Sequence, residues 1–149
     1  MTREKPALIL LVDDDYDFLE IHRIHLERAG YRVVTAADPE RALQRMAEEK
    51  PDLIITDLMM TTLDSGFSLA RAIKEDARYA DIPVIIATSV SSALGLDFRP
   101  RSADEQAKMH ADAYFDKPLD LPKLLETIAQ LLDKRAGDEA AGDTQAKEA

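Results

Sequence analysis

Short apolar runs alternate along this chain with longer stretches in which apolar residues recur at helical spacing. Residues 7–12 are continuously apolar and are followed by three aspartates, a pattern typical of a parallel strand that is buried on both faces. Comparable short runs predict four more strands, at 32–36, 52–57, 84–88 and 113–116. The pattern therefore predicts a five-stranded sheet.

Helical segments fill the intervals between the predicted strands. Asp38 followed by Pro39 is a strong helix start, because Asp caps the first free amides and Pro fits the first turn. Asp15 is the expected cap of the first helix, Gly30 ends that helix, and Asp120 caps the last. The predicted helices cover 15–29, 39–50, 66–77, 103–111 and the residues from 121 onward. Strands that alternate with helices predict an α/β fold in which five helices cover a doubly wound parallel sheet.

Length and composition predict one folded domain. The chain has 149 residues, of which 46% are hydrophobic and 32% are charged, as is usual for a globular domain. Residues 136–149 are rich in Ala, Gly and acidic residues. This composition predicts a disordered tail at 136–149 that follows a folded domain at 1–135.

Charge and cysteine content exclude several classes of function. The formal net charge is −10 and no basic stripe is evident, so we expect no direct DNA binding. Cysteine is absent, which excludes disulfides and thiolate chemistry. The sequence has neither a signal-peptide pattern nor an apolar stretch of about 20 residues, so we expect a cytoplasmic protein without a membrane segment.

Polar residues that suit phosphoryl chemistry follow the predicted strands. Ligands of a doubly wound sheet bind at the carboxyl ends of its strands, where this chain has Asp13, Asp14, Asp57, Thr88 and Lys117. Clustered carboxylates repel one another, and a divalent cation relieves that repulsion. Mg2+ binds through one or two carboxylates together with water and phosphate oxygens. A nucleophile, a metal site, a hydroxyl group and a lysine together predict a site that handles a phosphoryl group.

With these residues in place, the chain resembles the receiver domains of bacterial two-component response regulators, a family that includes single-domain chemotaxis regulators. The matching stretches, in chain order, are LILLVDDDYDF, PDLIITDLMM, VIIATS and YFDKPLD. The resemblance implies a flavodoxin-like sheet with the strand order 2-1-3-4-5. It also implies a signalling protein, not a conventional enzyme, that catalyses only its own phosphotransfer and dephosphorylation.

The resemblance assigns the acidic residues to an acceptor and a metal site. Asp57 would be the phosphoacceptor and would also contact Mg2+. Asp14 would be a direct Mg2+ ligand, and Asp13 would act through water. The backbone carbonyl of Met59 would complete the protein ligands.

Three further residues would catalyse the transfer or respond to it. Thr88 would be the switch hydroxyl, and Lys117 would be the lysine that contacts the phosphoryl group. The bond between Lys117 and Pro118 would be cis. Tyr114 would be the aromatic residue that changes rotamer after phosphorylation, which alters a partner-binding surface.

The resemblance also implies partners. The phosphoryl donor would be a sensor histidine kinase or a histidine phosphotransfer protein, and the output would be a downstream protein partner. Between Thr88 and Lys117 the chain is longer than is usual in the family. We expect the lengthened segment, at 89–102, to reshape the partner-binding surface.

Two other functions stay open from sequence alone. The first is a phosphate-independent pseudo-receiver, although such a module normally lacks an acidic residue or the lysine. The second is a haloacid-dehalogenase-type phosphatase, since Asp13 and Asp15 have the Asp-x-Asp spacing of that class. His22 and His25 could bind a metal or sense pH, but a partly exposed helix face is the favoured interpretation.

Overall fold

The structure is a computed structural model that describes residues 6–57, 65–88 and 111–148. Its elements, in chain order, are β1 (Leu8–Val12), α1 (Tyr16–Arg28), β2 (Arg32–Ala36), α2 (Pro39–Glu48), β3 (Leu53–Thr56), α3 (Ser65–Glu75), β4 (Val84–Thr88), β5 (Ala113–Asp116) and α4 (Leu121–Glu148). All five predicted strands are present.

The five strands form one parallel sheet in the order β2-β1-β3-β4-β5. This order confirms the predicted doubly wound, flavodoxin-like topology. In the centre of the sheet, Leu10 of β1 is opposite Val34 of β2 and Ile54 of β3. The described residues contain four helices, and the fifth predicted helix, at 103–111, lies outside them.

The core forms two layers, one on each face of the sheet. Alternate residues of β1 serve opposite layers. Leu10 and Val12 pack with residues of α2 and α3, whereas Ile9 and Leu11 pack with residues of α1 and α4. Every residue of β1 is buried, as its continuous apolar run predicts. Burial of each such side chain contributes about 1.5–3 kcal/mol.

The helix ends follow the predicted capping residues. Asp15 caps α1, because its Oδ1 accepts hydrogen bonds from the amides of Asp17 at 3.0 Å and Phe18 at 3.2 Å. Asp38 caps α2 with its carboxylate in the same way. Gly30 has φ of +100°, a conformation that L residues rarely adopt, and it lets the chain turn away from α1. Because Asp15 caps the first turn of α1, it fixes where the chain passes from β1 into this helix, and Gly30 fixes where the chain leaves it.

The last helix reaches the end of the described residues. α4 has 28 residues and continues to Glu148, and the disordered tail expected at 136–149 stays a prediction. Residues 136–149 contain five Ala and no Pro, although they also contain two Gly. The domain boundary after residue 135 stays a prediction. Despite the length of α4, no helix in the described part of the chain is apolar enough to cross a membrane.

Candidate functional site

Three ionisable residues follow the carboxyl ends of strands at one edge of the sheet. Asp13 follows β1, Asp57 follows β3 and Lys117 follows β5. The amide of Asp13 donates to the Ala36 carbonyl at 3.1 Å, and the amide of Asp57 donates to the Val12 carbonyl at 2.9 Å. The hydrogen bonds of the sheet thus continue through both aspartates, so their backbones are held in fixed positions.

Three carboxylates converge at this edge. Oxygen atoms of Asp13, Asp14 and Asp57 all lie within 4.8 Å of one another. Asp13 and Asp57 are buried, with 1% and 8% of their surface exposed, whereas Asp14 is exposed. Carboxylate oxygens are the ligands that hard cations such as Mg2+ prefer, so this donor set fits the predicted metal. The predicted ligand Met59 lies outside the described residues.

Lys117 places a positive charge among these carboxylates. Its Nζ lies 2.5 Å from Oδ2 of Asp13 and 3.7 Å from Oδ2 of Asp57. Asp13 uses its other oxygen to accept a hydrogen bond from the amide of Asp15 at 2.9 Å. Both oxygens of Asp13 therefore already have protein donors, whereas Asp14 faces solvent. The direct metal-ligand role expected for Asp14 and the water-mediated one expected for Asp13 stay predictions.

Burial makes the charge on Asp13 costly. The pKa of Asp13 is raised from 3.8 to about 6, chiefly because burial removes water from the carboxylate. The hydrogen bonds from Lys117 and from the Asp15 amide lower this pKa, and the charge of Asp57 raises it further. One lysine therefore does not fully compensate the buried negative charge. A divalent cation at this position would supply the missing positive charge.

The two predicted switch residues lie on β4 and β5, the two strands beyond β3 in the sheet. Thr88 is the last residue of β4 and pairs with Asp116 of β5. Tyr114 is half-buried on β5, opposite Ile86. The peptide bond between Lys117 and Pro118 is cis, as predicted. The lengthened segment at 89–102 lies outside the described residues, so its predicted role is not tested.

The structure adds two residues of α1 that the sequence did not assign to the site. The ring of Phe18 lies beneath Lys117, with Nζ at 4.1 Å from the ring centroid. His22 stacks on the same ring, with the two centroids 4.0 Å apart. Sequence patterns identified Phe18 only as an apolar helix position. The one sequence feature that could have pointed to Phe18 is its position in the first turn of α1, shortly after Asp13 and Asp14.

His25 belongs to the same side of α1. Phe18, His22 and His25 line an open groove together with Lys117 and the residues that follow it. His22 and His25 are both half-buried. The predicted partly exposed helix face is therefore confirmed. The carboxylate cluster found in the described part of the chain contains neither histidine.

Comparison with known sequences agrees with this geometry. The family described as "Response regulator receiver domain" matches residues 9–129. The DNA-binding dual master transcriptional regulator RpaA of Synechocystis is 34% identical over 124 residues, which cover 83% of this chain and 48% of that protein. The phosphate regulon transcriptional regulatory protein PhoB of Pseudomonas aeruginosa is 32% identical over 138 residues, covering 93% of this chain and 55% of that protein. The chain spans about half the length of these relatives.

Solved receiver-domain structures also resemble this chain, and it matches nearly the full length of each of them. The chemotaxis response regulator CheY4 of Vibrio cholerae superposes with a TM-score of 0.71 at 28% identity, covering 85% of this chain and 99% of that one. A CheY-like receiver domain protein from Methanospirillum hungatei superposes with a TM-score of 0.75 at 25% identity, covering 90% and 99%.

Proposed function

The chain belongs to the response regulator receiver domain family, and on that premise we propose that it accepts a phosphoryl group on Asp57 in the presence of Mg2+. The observation that carries the proposal is the convergence of three carboxylates within 4.8 Å beside the ammonium group of Lys117. Domains of this family are signalling domains and not conventional enzymes. The proposed reaction therefore modifies the protein itself.

The proposed reaction is an in-line displacement. A carboxylate oxygen of Asp57 forms a bond to phosphorus while the bond from phosphorus to the donor nitrogen breaks. The electron pair of that bond stays on the nitrogen of the donor histidine. The histidine is released as a neutral imidazole after proton exchange with solvent. Lys117 lies 3.7 Å from Asp57 and neutralises charge on the phosphoryl oxygens.

Asp13, Asp14, Asp57 and the Met59 carbonyl would hold the metal. When bound, Mg2+ supplies positive charge to the phosphoryl oxygens and orients them. Asp57 is 8% exposed, so the acceptor is reachable from the solvent edge while most of its carboxylate is shielded from water. The exposed Asp14 marks the open side of the site.

Thr88 and Tyr114 would transmit the modification. Thr88 ends β4, the strand next to β3 in the sheet, and Tyr114 lies on β5, the strand beyond it. A phosphoryl group on Asp57 would draw the Thr88 hydroxyl toward it, and Tyr114 would then turn inward. This is a two-state element that a local change of charge biases.

The partners we propose are a histidine kinase or a histidine phosphotransfer protein as donor and a protein as output. The groove along α1 is lined by Lys117, whose Nζ lies 3.7 Å from Asp57, so a donor bound in this groove would be close to the acceptor. One relative, the regulator RpaA of Synechocystis, is a DNA-binding protein. In this chain the net charge of −10 disfavours direct contact with phosphate backbones, so we propose a protein output for the domain described.

Trapping of the acyl phosphate tests the proposal. The protein is incubated with phosphoramidate and Mg2+, reduced with borohydride and digested, and the product of the modified aspartate is located by mass spectrometry. We expect label on Asp57, dependence on Mg2+, and no label in Asp57→Asn. Glu126→Gln is the matched control, because it removes one carboxylate from an exposed position away from the acidic cluster. This variant should react like the wild type.

The same experiment separates the alternatives. Label on Asp13 would favour a phosphatase of the haloacid dehalogenase type. Absence of any label, with no change in the Tyr114 resonances when beryllofluoride and Mg2+ are added, would favour a phosphate-independent pseudo-receiver. Either result would refute the phosphoacceptor proposal.

A further inference from the structure

An aromatic side chain that the proposed reaction does not use contacts Lys117. Nζ of Lys117 lies 4.1 Å from the centroid of the Phe18 ring while it pairs with Asp13. Phe18 is half-buried and packs against the core layer that includes α1 and α4. The Lys117 side chain is only 16% exposed, so water weakens the attraction between cation and ring less than it would at an open surface.

Four interactions connect Phe18 to the acidic site in a closed circuit. Oδ1 of Asp13 accepts from the Asp15 amide at 2.9 Å, and Oδ1 of Asp15 accepts from the Phe18 amide at 3.2 Å. The Phe18 ring contacts Lys117, and Lys117 returns to Oδ2 of Asp13 at 2.5 Å. The start of α1 and the lysine are therefore held by the same aspartate. Asp13 and Asp15 therefore fix the position of the Phe18 ring beneath the ammonium group.

We propose that Phe18 is a positioning residue that holds the ammonium group of Lys117 beside Asp57 for phosphoryl transfer. The proposal rests on the proposed function. An aromatic face attracts a cation, but it does not take up the N–H donors as a carboxylate would. Apart from the donor that Asp13 accepts, the N–H donors of Lys117 therefore stay available for oxygen atoms at the site. A lysine side chain that is already held in one rotamer before the reaction loses less conformational entropy when the phosphoryl group is transferred.

His22 supports this ring from α1. The two ring planes make an angle of 30°, and Nδ1 of His22 lies 2.9 Å from the Phe18 carbonyl oxygen. Burial lowers the pKa of His22, and the charges of His25 and Lys117 lower it further. At neutral pH the imidazole is therefore mostly uncharged, and it packs on Phe18 without bringing a second cation to the ring.

The test uses the full chain and three substitutions of Phe18. Phe18→Leu and Phe18→Met remove the aromatic face and keep an apolar side chain, while Phe18→Tyr keeps the face. Ile24→Ala is the matched control, because Ile24 is a partly exposed apolar residue on the same helix and does not line the groove that contains Lys117. Urea unfolding first establishes which variants are folded, and having two aliphatic variants keeps the test decisive if one does not fold.

Two measurements follow. NMR gives the chemical shift of the Lys117 ε-methylene protons, which a ring beneath the ammonium group moves upfield. The rate of Asp57 phosphorylation by phosphoramidate at saturating Mg2+ gives the effect on chemistry. We expect Phe18→Leu and Phe18→Met to lose the upfield shift and to slow phosphorylation about fivefold, which corresponds to about 1 kcal/mol. Phe18→Tyr and Ile24→Ala should retain both properties.

A double-mutant comparison shows whether Phe18 acts through Lys117. In a Lys117→Met background, Phe18→Leu should cause no further slowing, because the group that it positions is gone. Equal slowing in both backgrounds, or an unchanged rate after the upfield shift is lost, would overturn the proposal. If the wild type forms no acyl phosphate, the proposed function is refuted, and the catalytic part of this proposal is refuted with it. The NMR shift needs no phosphate and would still decide whether Phe18 holds Lys117.

Discussion

Replacing Asp13 by Asn should stabilise the metal-free protein at neutral and alkaline pH. Asp13 is 1% exposed, and its pKa is raised from 3.8 to about 6, chiefly by burial. A raised pKa means that the folded protein binds this proton more tightly than the unfolded chain does. The stability that Asp13 contributes is therefore fully present below pH 3.8 and is lost as pH rises through about 6.

The size of the effect follows from the same pKa values. The rise from 3.8 to about 6 corresponds to about 3 kcal/mol, because one pK unit is worth about 1.4 kcal/mol. Asn imitates the protonated carboxyl group and carries no charge. Without metal, Asp13→Asn should raise the free energy of unfolding by up to about 3 kcal/mol near pH 8, and by about 1 kcal/mol near pH 4.5.

Urea unfolding monitored by circular dichroism, in the presence of EDTA, measures both values. Glu126→Gln removes an exposed carboxylate and is the control for the change in net charge. Adding Mg2+ should stabilise the wild type more than Asp13→Asn, which keeps the direct ligands but loses one negative charge at the site, since a ligand stabilises the folded state in proportion to how tightly it binds. A gain of equal size at both pH values, or no gain near pH 8, would refute the reasoning from burial.

Three further predictions concern other parts of the molecule. Gly30 has φ of +100° with no atom within 4 Å of an added Cβ, so Gly30→Ala should lower the free energy of unfolding by about 1–2 kcal/mol through backbone strain alone; an unchanged urea midpoint would argue against this. Oδ2 of Asp112 accepts from the Val84 amide at 2.8 Å and pairs with Lys74 at 3.0 Å, so Asp112→Ala should cost about 1–2 kcal/mol without slowing phosphorylation. The pKa of His22 is lowered from 6.5, chiefly by burial, so NMR titration should find it below that value. Its contribution to stability should then be present above pH 6.5 and fall as pH drops, and a pKa above 6.5 would contradict the described surroundings of His22.

Local sequence patterns were sufficient for the order and kind of the elements. The continuous apolar run of β1 predicted a strand buried on both faces, and Asp15, Asp38 and Gly30 marked helix ends that the structure confirms. The final helix continues to Glu148, and the disordered tail that composition predicts after residue 135 stays a prediction.

What the sequence determined by itself was the edge of the sheet where the polar residues meet, because parallel strands end on the same side whatever their detailed packing. From the sequence alone, that argument places Asp13, Asp57 and Lys117 at one edge of the sheet. Only the tertiary structure decided how they differ. Asp13 is buried and bonded to a lysine 104 positions away, while the adjacent Asp14 is exposed. The contact of Phe18 with Lys117 was also decided there, since the packing of α1 beside the end of β5 sets distances between side chains that no local pattern encodes.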